Sequence, residues 1–78
     1  MPRAFILIKT KLGSEKQVLD QIRNIDEIEE SSLVYGIYDL SAKVSAETMD
    51  KLHKIIALVR GLDNIQTTLT LILIEKEK

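Results

Sequence analysis

The chain alternates between stretches with two different hydrophobic periods. Residues 3–10 (RAFILIKT) place Phe5 and Leu7 on one side of an extended strand and Ala4, Ile6 and Ile8 on the other. Both sides are apolar, so both need cover. After the turn Lys11-Leu12-Gly13, Ser14 and Gln17 stand at capping-box spacing, where hydroxyl and amide satisfy free helix-end donors. Val18, Leu19, Ile22 and Ile25 then form one stripe, which predicts a helix over 14–24 packed on the sheet.

A second strand is predicted over 28–35, entered through Glu27, Glu29 and Glu30, which read as a solvated approach. Its end, Ser32 to Tyr35, meets Gly36, and a third strand leaves over 38–45. Leu40, Ala42 and Val44 point inward, and Asp39, Ser41 and Lys43 lie on the opposite face. The two make a β-hairpin whose turn needs the positive φ that glycine takes without strain. Ser45 is placed to cap a second helix with Met49, Leu52, Ile55, Ile56 and Val59 inward. Gly61, just past it, suits the left-handed position after a helix. The last strand, 66–74 (QTTLTLILI), has a far half that is apolar on both sides, and Glu75 to Lys78 form a solubilising charged tail.

Strand, helix, strand, strand, helix, strand is the ferredoxin-like α+β order, one domain with two helices on one face of a four-stranded antiparallel sheet. The other face is bare. Apolar side chains of the first and last strands there predict a twofold dimer stacked sheet to sheet, a dimeric α+β barrel. The last strand also suits pairing with a neighbour that extends the assembly.

At 78 residues the chain buries only about 60 % of its unfolded surface. Cysteine is absent, which excludes disulfides, thiolate metal sites and a thiol nucleophile, and leaves oligomerisation as the route to added stability. The formal net charge is −1, basic residues are nowhere clustered, and the only aromatics are Phe5, Tyr35 and Tyr38, so direct nucleic-acid binding is not expected. The apolar run from Ala4 to Ile8 is too short for a membrane span and nothing resembles a signal peptide, which predicts a soluble cytoplasmic protein with no membrane partner. His53, the one histidine, borders the second helix stripe. Without cysteine or a second histidine it reads as structural or rim, and no metal or cofactor is expected.

The chemistry of interest is the phenol and carboxylate of Tyr38-Asp39 directly after the hairpin glycine. An acid at a hairpin tip is ordinarily a solvated turn residue, so local chemistry alone leaves both readings open.

Gly36-Ile37-Tyr38-Asp39-Leu40, with Lys43-Val44 behind it, resembles the hairpin pattern of the effector-binding (RAM) domain of the Lrp/AsnC family. Ile65-Gln66-Thr67-Thr68-Leu69-Thr70 is similar to that domain's closing run with threonines two apart, and AFILIKTKLGSEKQVLDQI (4–22) resembles its opening strand, turn glycine and first helix. Tyr35 stands where many members carry threonine, Asn64 stands where a glycine often precedes the strand, and the DNA-binding half is absent, so a stand-alone RAM protein is expected. The resemblance implies dimers assembled into rings such as octamers or decamers, with a free amino acid as effector between dimers. A full-length Lrp/AsnC regulator is a further expected partner, while DNA contact does not carry over.

The residues it implies for ligand binding are Gly36, Tyr38 and Asp39 from the hairpin and Thr68 and Thr70 from the last strand. Asp39 pairs with the ammonium; threonine hydroxyls and turn N–H groups take the carboxylate. For Thr68 or Thr70 taken singly, ordinary β-propensity outweighs ligand contact as the account of the residue, whereas for Asp39 the resemblance favours function. The expected function is therefore a non-enzymatic amino-acid sensor that modulates transcription or amino acid metabolism through assembly. Two alternatives stand beside it. A small ferredoxin-like enzyme of monooxygenase or isomerase type would have only Asp39 with Tyr38 or His53 to work with. An ACT-like regulatory module would join its sheets side by side.

Overall fold

The strand with two apolar faces, β1 (Arg3–Thr10), lies inside the sheet, where both its edges are paired and one of its faces is covered by the helices. A computed structural model describes residues 1–74. After β1 come α1 (Glu15–Arg23), β2 (Ile28–Leu33), β3 (Leu40–Ser45), α2 (Met49–Arg60) and β4 (Ile65–Ile72). The sheet order is β2-β3-β1-β4, every pair antiparallel, which is the expected ferredoxin-like topology.

Register sorts the side chains onto two faces. Ala4, Ile6 and Ile8 lie opposite Val44, Ala42 and Leu40 of β3, and all six are buried under the helices. Val18, Leu19 and Ile22 of α1 and Leu52, Ile55, Ile56 and Val59 of α2 complete this core, as the sequence stripes predict. On the other face Phe5 lies between Lys43 and Leu71, and Leu7 between Ser41 and Leu69. Phe5, Leu69 and Leu71 remain 38 %, 42 % and 48 % exposed there.

Several local expectations are corrected. Ser14 precedes α1 at φ −102° and ψ 4°, away from the extended conformation of a capping residue, and makes no side-chain cap, while its N–H is turned onto the Lys11 carbonyl at 3.0 Å. Ser45 does not cap α2. It is the last residue of β3, its N–H bonded to the Glu27 carbonyl at 3.0 Å, and Thr48 is the cap, its hydroxyl accepting from the Lys51 N–H at 3.1 Å. Met49, the first residue of α2, is 45 % exposed rather than inward. Gly61 has φ −91° and is not left-handed: its N–H bonds to the Ala57 and Leu58 carbonyls and the chain keeps coiling through a Leu62 to Val59 bond. The reversal comes at Asn64, φ 69°, a conformation that asparagine tolerates better than most residues.

The strands also differ at their ends. β2 stops at Leu33 and β3 starts at Leu40, so residues 34–39 form a longer connection than the hairpin reading allows, closed by a Val34 N–H to Asp39 carbonyl bond of 2.9 Å. β4 ends at Ile72 rather than residue 74, although Leu73 still donates to the Arg3 carbonyl at 2.9 Å. Glu27 is not freely solvated: it pairs with Lys51 at 3.5 Å. The expected charged tail, residues 75–78, lies outside the described residues. Among the described residues no helix is long and apolar enough to cross a membrane.

Candidate functional site

β1 outruns its neighbour. The ladder between β1 and β3 ends at Ile8 opposite Leu40, and the register with β4 shifts between Lys9 and Thr10, so β3 offers Thr10 no carbonyl. Asp39 fills the gap. Its N–H donates to the Ile8 carbonyl at 2.8 Å, while its Oδ2 accepts from the Thr10 N–H at 2.9 Å and from the Thr10 hydroxyl at 3.2 Å. Thr10 is buried, and a charged acceptor makes both bonds stronger than neutral ones. Asp39 is itself half-buried, and among the described residues its Oδ1 has no hydrogen-bond partner.

Gly36 approaches the same place with φ 148°, which a side-chain carbon would strain. The Lys9 ammonium reaches across to the Ile37 carbonyl at 3.3 Å and ties the connection to β1. These elements border an open hollow of about 790 Å³, lined by Gly13, Glu15 and Lys16 on one side and Leu33 to Gly36 and Asp39 on the other. Its size suits a small ligand, but it lacks the walls that enclose most of one.

The five residues singled out from the sequence are thus not all brought together. Gly36 and Asp39 share this hollow, whereas half-buried Tyr38 does not line it. Thr68 and Thr70 lie opposite Ile8 and Ile6, which puts them on the helix-covered side of edge strand β4. Thr70 borders a separate hollow with His53 and Arg60. His53 is exposed, and it and Asp39 border different hollows, so no acid–base pair is assembled from them. No metal-ligand cluster occurs among the described residues.

Sequence reasoning missed Thr10, Gly13 and Lys16. Thr10 carried a weak signal, a hydroxyl ending an otherwise apolar strand side, but only the bulge gives it a partner. Lys16 is an unremarkable surface position until the fold sets it beside the connection bearing Asp39.

The fold that carries the hollow and the pinned carboxylate is a ferredoxin-like α+β domain, a scaffold that hosts many unrelated functions. The family is specific: the chain belongs to the Lrp/AsnC ligand binding domain family, whose model matches residues 3–78. It is similar to the HTH-type transcriptional regulator FL11 of Pyrococcus furiosus, 29% identical over 75 residues that cover 96% of this chain and 50% of FL11. The chain spans about half the length of the curated relatives it matches. Among solved structures it is similar to FFRP-DM1, with a TM-score of 0.91 and 39% identity over 95% of this chain and 100% of that one. The hypothetical protein PHS023 from Pyrococcus horikoshii superposes with a TM-score of 0.90 and 38% identity over 97% of this chain and 93% of that one.

Proposed function

We propose that this domain is a non-enzymatic sensor of a free amino acid, and that effector binding regulates transcription by changing how copies of the domain assemble. The observation that carries the reading is the divided carboxylate of Asp39, a residue that lines the open hollow: Oδ2 is committed to Thr10, while Oδ1 has no hydrogen-bond partner among the described residues. An ammonium at Oδ1 gains a charge-assisted bond without breaking the structural one. Lys16 and the backbone around Gly36 border the same hollow and suit the carboxylate end of a zwitterion, and Tyr38 lies next to Asp39 in the same connection.

The missing wall comes from a second subunit. The apolar open face of the sheet favours a twofold dimer, and dimers closing into an octamer or decamer bring the Thr68 hydroxyl of one subunit toward the hollow of another, while Thr70 stays with its separate hollow beside α2. Co-assembly with a full-length Lrp/AsnC regulator transmits the signal to DNA. Thermal denaturation and light scattering against a panel of the common amino acids test the proposal together. A ligand that bridges subunits must raise the melting temperature and the oligomer population in step. No response to any of the panel would reject it.

A further inference from the structure

The hollow beside Thr70 has a composition opposite to that of the Asp39 hollow. On α2, His53, Ile56, Ala57 and Arg60 recur at intervals of three and four, so one helix face presents them together. Across from them stand Thr70 and Ile72 of β4, which the register sets on the same side of the sheet. β4 is an edge strand, and the helices do not cover it fully: Thr70 is half-buried and Ile72 is 41 % exposed. Ala57, the small residue of the stripe, leaves room in the middle. The result is a hollow of about 330 Å³ with an apolar floor and three polar groups at its rim.

Those groups are unspent. Among the described residues neither the Arg60 guanidinium, the His53 ring nor the Thr70 hydroxyl has a hydrogen-bond or ion-pair partner. The negative end of the α2 dipole accounts for a cation in the last turn. It does not account for a hydroxyl and a second basic side chain facing the same apolar floor. No acidic side chain lines the hollow, so an ammonium finds no counter-charge there.

We infer that the hollow between α2 and β4 binds a small aliphatic monocarboxylate, its carboxylate held by Arg60 and the Thr70 hydroxyl and its tail on Ile56, Ala57 and Ile72. A guanidinium binds a carboxylate by two parallel bonds, and the apolar floor selects a hydrocarbon body over inorganic anions. The absence of an acid discriminates against amines, so a carboxylate lacking the amino group is preferred over the corresponding amino acid. The inference does not rest on amino-acid sensing at Asp39.

The test is backbone amide NMR on the isotope-labelled full chain, titrated separately with 3-methylbutanoate, leucine and 3-methylbutylamine. The carboxylate shifts the resonances of His53, Ala57, Arg60 and Thr70; the amine leaves them in place, and leucine binds there more weakly than 3-methylbutanoate. Arg60→Gln weakens the carboxylate about tenfold or more, and Thr70→Val weakens it by a smaller factor, with unchanged spectral dispersion showing that each variant is folded. Unmoved resonances at these positions, equal shifts from the amine, or full binding by Arg60→Gln would overturn the inference. Resonances of Gly36 and Asp39 report the other hollow in the same spectra, so each site succeeds or fails separately.

Discussion

Asp39 and Thr10 are joined twice: one carboxylate oxygen accepts both the backbone N–H, at 2.9 Å, and the hydroxyl, at 3.2 Å, of a buried residue 29 positions away. Removing the carboxylate therefore damages the fold as well as any ligand contact. Asp39→Ala leaves two buried donors unpaired and lowers unfolding free energy by about 1–3 kcal/mol, read by urea denaturation. Asp39→Asn keeps an acceptor oxygen and is expected to lose much less, while abolishing the thermal response to an amino acid. Equal stability loss for both variants would show that charge, and not the acceptor, holds Thr10.

The two helix starts give opposite predictions from similar residues. Thr48 caps α2 through its hydroxyl, so Thr48→Ala costs about 1 kcal/mol. Ser14 makes no side-chain cap on α1, so Ser14→Ala changes the melting midpoint little. A larger loss at Ser14 than at Thr48 in parallel melts would contradict these assignments.

Asn64 supplies the left-handed turn into β4 with φ 69°, and its carbonyl accepts from the Lys11 N–H at 2.9 Å. Asn64→Gly retains the fold, whereas Asn64→Val is destabilising by roughly 1–2 kcal/mol because a β-branched residue resists that conformation. Chemical denaturation of the pair measures the difference directly, and indistinguishable midpoints would refute it.

The open face is tested by charge. Leu71→Lys places an ammonium beside Phe5, where the sheet already presents Lys43 across β1. If a second copy stacks on this face, the variant sediments as a folded monomer under conditions where the parent chain is a dimer. A variant that still dimerises would move the interface elsewhere, to sheets joined edge to edge as in an ACT-like arrangement.

Much of this was legible in the sequence because burial follows period. The alternation of Leu40, Ala42 and Val44 and the stripes through Ile22 and Val59 assign the core directly, since each side chain's face is fixed by its own element. The Gly-x-Tyr-Asp motif located one wall of the candidate hollow. What it did not disclose was Asp39's structural partner, because Thr10 acquires its unmet N–H only where two strands end out of step. Caps went astray for a related reason. Ser14 and Ser45 have the right chemistry, but Ser14 lacks the backbone conformation of a cap and Ser45 is still paired in β3, which a residue-by-residue reading does not count. The separation of Asp39 from Thr68 and Thr70 likewise depends on strand order, which places β4 at the far edge from β2.

That strand order also governs how the domain comes into being. Within the domain β1 is translated before the other described strands yet takes β4, the latest of them, along one whole flank, with Ala4 meeting Ile72. A nascent chain on the ribosome can form the β2–β3 pair and α1 early, but its central strand stays half-zipped until residue 72 has emerged. Such distant pairing slows folding and prolongs exposure of sticky intermediates, so synthesis of this small domain is effectively all or nothing.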